Sequence, residues 1–549
     1  MDDTDGNAMT LNNKLLNWYS RHWAWVTLLI IVFLVAAIRI RLLHVPLERD
    51  EGEYAYAGQL ILQGIPPYAK VYNMKMPGIY AAYAVILAFF GQTHVAIHFG
   101  LLVVNAMTTV LLFLLGKKLF DTATGVVTAA SFAVLSLSQS VQGVFANAEH
   151  FVILPAIGGI LLLVHAIESD RPKLLLWSGM LLGVAFIMKQ HGAAFIAFGG
   201  LYLLSRELGR RPVGWKRCLR RCGLFSLGVV VPFGVTCLTL LLVGVFDRFW
   251  FWTFDYASKY VSSVPLATGL RMLRQRVLSM SGSSIPLWAL AAVGLTAPVW
   301  DKSARARSLF ILTFPAFSFL SVCPGFYFRP HYFILLLPAI ALLVGISATS
   351  IGRLIPDRHP LYARNAIPIL LVLIAVLYSV FKQRAFLFQM SPYMASRTTY
   401  GANPFPESLE IAKYIRQHSS KNDTIAVIGS EPQIYFYSGR HSATGYIYTY
   451  ALMENHDYAL KMQQEMIDEI EAARPSFLVY VCVRTSWLVG PESKLLIFEW
   501  FKEHSEKNYE LVGIVDILPS QGASYYWDEE AAKYSPRSTS WLSIFRRRE

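Results

Sequence analysis

The sequence predicts a mainly α, polytopic membrane protein with about eleven transmembrane helices, followed by a C-terminal α/β domain outside the membrane. Three observations carry that prediction. Of 549 residues, 54% are hydrophobic and only 15% are charged, whereas soluble globular chains carry about 25% charge. Apolar runs of about 20 residues, enough to cross a hydrocarbon core, recur up to residue 381. From about Phe386 the pattern changes to short strands alternating with amphipathic helices, as in α/β units. The formal charge of +13 fits the Lys and Arg that membrane proteins keep on the cytoplasmic side better than a nucleic-acid-binding surface.

Residues 1–24 form a cytoplasmic N-terminus. The first apolar run, Trp25 to Leu43, meets no small-residue cleavage site and reads as a retained helix rather than a signal peptide. Spans are expected at 25–44, 95–116, 123–142, 150–167, 174–189, 191–205, 223–246, 284–300, 308–325, 331–349 and 365–381. The loops on one side of this arrangement hold 19 Lys and Arg, those on the other side 10, leaving out Arg39 and Arg41. The richer side is the cytoplasm, and an odd number of spans places the C-terminal domain outside. "GIYAAYAVILAFFGQ" (78–92) is apolar for only 15 residues. As a span it would reverse every later basic loop, so it is expected to be interfacial or re-entrant. Residues 45–94 then form one external loop, 25–385 the transmembrane domain and 386–549 the extracytoplasmic domain. Within the latter, "DTIAVIG" (423–429), "SFLVYVCV" (476–483) and "ELVGIVDIL" (510–518) read as strands. "YALKMQQEMIDEIEAA" (458–473) and "KLLIFEWFKEH" (494–504) read as helices, and the domain is expected to fold alone from about Asn403. The basic tail "IFRRRE" departs from the charge trend. Five scattered cysteines imply no disulfide framework.

The centres of the spans are nearly free of charge. Ionisable groups collect at the external ends instead: Arg39, Arg41, Asp50, Glu51, Glu53, Lys75, Glu149, His150, Lys189, His191, Arg329 and His331. Charge beside a bilayer is costly and usually functional. Carboxylates there suit proton abstraction from a hydroxyl or amine, or metal binding; cations at the same depth suit a lipid-linked phosphate. Each residue also has a plainer reading. Asp50 with Glu53 three positions on looks like the capping box of the helix "GEYAYAGQLIL", Lys75 like an interfacial anchor, and "NAEH" (147–150) like a polar turn. Their common sidedness favours one shared site.

"ERDEGEYAYAGQLILQG" followed by "MKMPGIYAAYAVILAFFG" resembles the first external loop of GT-C membrane glycosyltransferases, near the protein O-mannosyltransferase and aminoarabinose-transferase families. "GMLLGVAFIMKQHG" (179–192) and "RPHYFILLLPAIALLVG" (329–345) resemble further segments of that family. The resemblance implies a GT-C-like transmembrane domain that takes a sugar from a polyprenyl-phosphate donor at the external face and passes it to a lipid, glycan or protein acceptor, with inversion. It implies Asp50 as base, with Glu51 beside it, and Lys75 on the donor phosphate. Glu53, Tyr54, Glu149, Lys189, Arg329 and His331 complete the substrate-binding set. The aminoarabinose-transferase pattern places a glutamate before that lysine. Here the position is Met74, which leaves a divalent metal an open question. The implied partners are the donor, an acceptor of unknown identity and membrane lipids, without nucleic acid; the implied location is a bacterial-type inner membrane. A transporter or lipid-handling envelope protein is the alternative, disfavoured by the charge-free span centres and the lack of an internal repeat.

Overall fold

The structure is a computed structural model that describes residues 3–262, 264–355, 361–518 and 522–548, with backbone only for 3–21 and 361–365. It is mostly helical, with a small sheet domain at the C-terminal end. Every one of the eleven apolar stretches is helical over most of its length. Among the described residues, six helices are long and apolar enough to cross a membrane: His22–Arg41, His94–Leu119, Ala148–Glu168, Trp215–Leu242, Leu266–Trp300 and Pro330–Leu354. Others are shorter, among them Thr122–Leu135, Lys173–Met188 and Ser308–Leu320. A 14-residue helix such as Thr122–Leu135 is about 21 Å long at 1.5 Å per residue.

Several expected boundaries shift, each for a local reason. The stretch expected at 284–300 is the C-terminal half of Leu266–Trp300, broken at Ser284 (φ −144°, ψ 30°). The N-terminal half carries Arg271, Arg274 and Arg276 as a helical extension where the sequence reads as loop. The stretch expected at 123–142 stops being α-helical at Leu135, because Ser136 and the turn around Gln142 (φ 56°) redirect the chain. Basic residues from Trp215 onward form the first turns of Trp215–Leu242. That helix lies against Lys173–Met188 at very short range. A Cβ on Gly179 would meet Phe225 O at 2.2 Å, and one on Gly228 would meet Leu176 O at 2.2 Å, so the two backbones touch only because both positions lack a side chain.

The loop expected at 45–94 folds as two helices, Arg49–Leu62 and Pro77–Phe90. The latter has proline at its first position, where no amide hydrogen is needed. The C-terminal domain holds β1 (Thr424–Ile428), β2 (His441–Ser442), β3 (Phe477–Cys482), β4 (Tyr509–Leu518), β5 (Gly522–Trp527) and β6 (Trp541–Arg547) in the order β2-β1-β3-β6-β4-β5. β1 is parallel to β2 and β3, and β6 is antiparallel to β3 and β4. The expected strands and helices of this domain are present. β6 is the strand that charge concealed. The first four residues of the "IFRRRE" tail, up to Arg547, belong to this strand, Leu542 and Ile544 are buried, and Arg546 reaches Glu510 on β4 at 2.6 Å.

Loop and sheet domain are stitched together. Leu47 N donates to Tyr437 Oη (2.8 Å), Ser442 N to Tyr56 Oη (2.7 Å), and Tyr72 N to Gly445 O (2.8 Å). Gly52 lies so close to the sheet domain that a Cβ would fall 2.6 Å from Gln433 N.

Candidate functional site

The first turn of Arg49–Leu62 decides which carboxylates are available. Its N-cap is Glu48, in extended conformation, and Glu51 closes the capping box. Glu51 N donates to Glu48 Oε1 (3.1 Å) and Glu48 N to Glu51 Oε2 (3.0 Å). The expected pairing of Asp50 with Glu53 as the box is therefore corrected. The helix starts earlier than the acidic pattern suggests, and Asp50 lies within the first turn with its carboxylate free to reach another segment.

That segment is the one around Lys75. Lys75 Nζ donates to Asp50 Oδ2 at 3.0 Å, and Tyr68 Oη donates to Lys75 O (2.6 Å), fixing the backbone. Burial drives the Asp50 carboxyl up, but the Lys75 ammonium outweighs it and holds the group below the usual carboxylate range. Burial likewise opposes the charge on Lys75, and the Asp50 and Glu53 carboxylates more than offset it, raising Lys75 well above its ordinary value.

The other acids of the loop are committed to structure. Glu51 is fully buried; its Oε1 accepts from Ala146 N (2.5 Å) and hydrogen-bonds His98 Nε2 (3.0 Å). Its oxygens are engaged in this way between the loop and the helix His94–Leu119, and it does not line the cavity described below. Glu53 is also fully buried, accepting from Tyr80 Oη (2.5 Å) and Asn73 Nδ2 (2.8 Å); burial pushes it up to about 7. Tyr54 packs edge-on against Tyr83 at 5.3 Å, with the Lys75 ammonium 5.5 Å from its ring centroid.

Asp50 and Lys75 open onto a cavity of about 320 Å³ between the membrane helices and the sheet domain. Of the nine expected site residues it brings together four: Asp50, Lys75, Arg329 and His331. His331 Nδ1 lies 3.0 Å from Gln142 Oε1. Glu149 and Lys189 stand behind the wall. Lys189 Nζ donates to Glu149 Oε1 (2.5 Å) and lies 4.2 Å from the ring centroid of Tyr332, which does line the cavity. Glu51, Glu53 and Tyr54, like Glu149 and Lys189, do not line the cavity.

Sequence reasoning missed most of the wall. Arg276 enters from the helical extension of Leu266–Trp300, and neither it nor Arg329 has an ion-pair partner among the described residues. Arg49 comes from the helix start and binds across to the sheet domain. Its guanidinium takes Glu431 Oε1 (2.8 Å), Asn403 Oδ1 (3.1 Å), Ser430 O (2.5 Å) and Tyr450 Oη (2.7 Å). Trp252, Tyr256 and Tyr260 come from the aromatic segment 247–260; Tyr448, Tyr450 and Glu454 come from the C-terminal domain. The aromatic segment was visible in the sequence only as an interface belt, and the domain residues carry no local motif.

The donor set does not fit a metal site. No three His, Cys, Asp or Glu side chains converge among the described residues, Met74 replaces the expected acid, and Asp50 is already paired with an ammonium.

Comparison with known proteins places this geometry in a wider context. A family model described as dolichyl-phosphate-mannose-protein mannosyltransferase matches residues 75–235. This begins at Lys75 and leaves out both Asp50 and the sheet domain. ArnT from Cupriavidus metallidurans, solved bound to undecaprenyl phosphate, is 14% identical with a TM-score of 0.60; the match covers 95% of this chain and 98% of that one. The same enzyme in its apo state gives 0.58 at 14% identity, over 96% and 98%. The archaeal oligosaccharyltransferase AglB from Archaeoglobus fulgidus, solved with an inhibitory peptide and a dolichol-phosphate, gives 0.54 at 12% identity, over 96% and 76%. A search of curated proteins returned no match. The chain has the fold these structures share.

Proposed function

We propose that this chain, which has the fold of the GT-C membrane glycosyltransferases, transfers a sugar from a polyprenyl-phosphate donor to an acceptor at the external face of the membrane. The observation that carries the reading is the meeting, in one cavity, of a carboxylate paired with a lysine and two arginines, Arg276 and Arg329, that form no salt bridge among the described residues. Guanidinium groups match phosphate oxygens in geometry and charge, so Arg276 and Arg329 hold the donor phosphate. A cavity of about 320 Å³ is at the small end of small-molecule sites, about 300–1,000 Å³, which favours a single sugar over an oligosaccharide.

The acceptor hydroxyl or amine attacks the anomeric carbon while the bond to the phosphate oxygen breaks, with inversion. Asp50 takes the acceptor's proton. Its carboxyl is held in the ionised form near neutral pH by burial-strengthened attraction to Lys75. An arriving donor phosphate competes for that ammonium, and a carboxylate that loses its cation becomes a stronger base. The phosphate leaves as an anion already facing cations, so no separate acid is needed. The test is release of free undecaprenyl phosphate from an undecaprenyl-phosphate-linked sugar by the purified chain in nanodiscs supplied with native membrane extract as acceptor source. Absence of release across a panel of linked hexoses and pentoses overturns the reading.

Two measurements check its parts. Arg276→Gln and Arg329→Gln are each expected to weaken binding of undecaprenyl phosphate by about 1.5–3 kcal/mol, the range for a hydrogen bond to a charged group, or roughly 10- to 150-fold. Exposed Arg271→Gln serves as the control. Unchanged affinity in both variants reduces them to interfacial anchors. The orientation rests on the 19-to-10 asymmetry of Lys and Arg. A cysteine at exposed Glu529, in a background with the native five cysteines replaced, is expected to react with an impermeant thiol reagent in cells with a permeabilised outer envelope. Labelling only after lysis reverses the topology.

A further inference from the structure

One carboxyl in the cavity has no part in the chemistry above. Glu454 reaches the cavity from the C-terminal domain, just after the helical turn Tyr450–Met453. Its Oε2 accepts from Tyr256 Oη at 2.6 Å; no other side-chain hydrogen bond to it occurs among the described residues. Burial pushes it up to about 7, against the pull of the Tyr256 hydroxyl and the nearby Arg329 guanidinium. It therefore stands beside the proposed phosphate site, where an acid would repel a phosphate. A carboxyl in that position is useful only to a neutral or cationic part of the ligand next to the phosphate.

The surrounding wall has the chemistry of a sugar site. Trp252 and Tyr256 meet edge-on at 5.1 Å, and Trp252 lies near-parallel to Tyr72 at 6.2 Å, 20° between planes. All three line the cavity. Aromatic faces carry negative charge density that attracts the weakly positive C–H faces of a sugar ring, while a carboxyl takes its hydroxyl protons. Tyr256, on the π-helical turn Phe251–Tyr256, is held by Glu454 and by His456, edge-on at 5.3 Å. The membrane body and the sheet domain therefore each supply one side of this corner.

We propose that Glu454, held by Tyr256, is the specificity-determining residue that hydrogen-bonds a hydroxyl of the donor's transferred sugar. This rests on the lipid-phosphate reading above. A site built to bond a hydroxyl rejects a ligand lacking it, because the second oxygen of the half-buried carboxyl, the one Tyr256 does not occupy, is then left without a partner. The C-terminal domain, which the family match at residues 75–235 does not include, would thus set which sugar is transferred.

The experiment uses the full chain in nanodiscs, with bare undecaprenyl phosphate and undecaprenyl phosphate carrying mannose, glucose or galactose as probes, measured by equilibrium binding. Wild type is expected to bind at least one glycosylated lipid ten times or more tighter than the bare lipid phosphate. Glu454→Gln keeps the shape and the bond from Tyr256 but not the charge, and is expected to lose most of that increment while binding bare undecaprenyl phosphate at least as tightly as wild type, because a charge that repels phosphate is removed. Tyr256→Phe, which frees the carboxyl without removing it, is expected to lose part of the increment. The proposal is overturned if wild type shows no sugar increment with any of the three, or if both variants keep it in full. Failure of wild type to bind even bare undecaprenyl phosphate would instead bring down the lipid-phosphate reading, so the two failures are distinguishable.

Discussion

Asp50→Asn is expected to cut turnover by roughly 10²–10⁴-fold, the range for general-base catalysis, and to leave the helix cap intact. The cap is Glu48, not Asp50, so loss of stability and loss of activity can be separated at this position. Asn still accepts a hydrogen bond from Lys75 but offers no negative charge. The buried ammonium, about 15% exposed, then lacks its ion partner, and a loss of about 1.5–3 kcal/mol is expected, the value of a hydrogen bond to a charged group. Asp50→Asn/Lys75→Met removes both charges together and is expected to recover part of that stability without recovering turnover. The measurements are turnover of a defined undecaprenyl-phosphate-linked sugar and an unfolding curve for each variant. An Asp50→Asn protein within a few-fold of wild-type turnover means that Asp50 only positions Lys75.

The second large effect lies at the junction of loop and sheet domain. Arg49→Met or Glu431→Gln is expected to destabilise the protein by about 3–5 kcal/mol, the cost of stranding one member of a buried ion pair. The side chains are 8% and 0% exposed, and Ser486 Oγ also donates to Glu431 (2.7 Å). The double variant is expected to cost less than the sum of the single changes, because the second removal strands nothing further. Unfolding midpoints in nanodiscs and limited proteolysis ahead of Asn403 provide the readout. Strict additivity shows that the pair contributes no coupling. The same contact changes the expectation that the C-terminal domain folds by itself from Asn403. Such a fragment leaves Glu431, the cleft beside Gln433 that admits Gly52, and the partners of Tyr56 and Tyr72 without their counterparts. Its fold is therefore expected to be weaker than the strand pattern alone implies.

Much of the architecture was legible because it rests on local periodicity. Each apolar run became a helix, since a backbone in hydrocarbon must satisfy its own hydrogen bonds. β1, β3 and β4 showed through their β-branched, apolar runs. β6 did not, because Arg546 and Arg547 hide the alternation of Leu542 and Ile544, and only pairing with β3 and β4 turns a basic tail into an inner strand. The N-terminal half of Leu266–Trp300 was missed for a similar reason: its arginines interrupt hydropathy while leaving helix propensity intact.

The site divides along the same line. The amino-acid sequence by itself determined that ionisable groups gather at the helix ends and not in the span centres, named Asp50, Lys75, Arg329 and His331 among nine candidates, and showed that an α/β domain follows. Composition and sidedness suffice for this because burying charge in a bilayer is costly wherever it occurs in the chain. Tertiary structure alone decided which of four neighbouring acids is free. Glu48 and Glu51 close the cap, Glu53 is engaged by Tyr80 and Asn73, and Asp50 is left to face Lys75 from 25 residues away. Tertiary structure also brought Arg276, Tyr256 and Glu454 to one cavity from segments up to 198 residues apart. Hydrogen bonds and ion pairs act over a few ångströms of space, so their partners are set by how helices and sheet pack, and spacing along the chain carries no record of it.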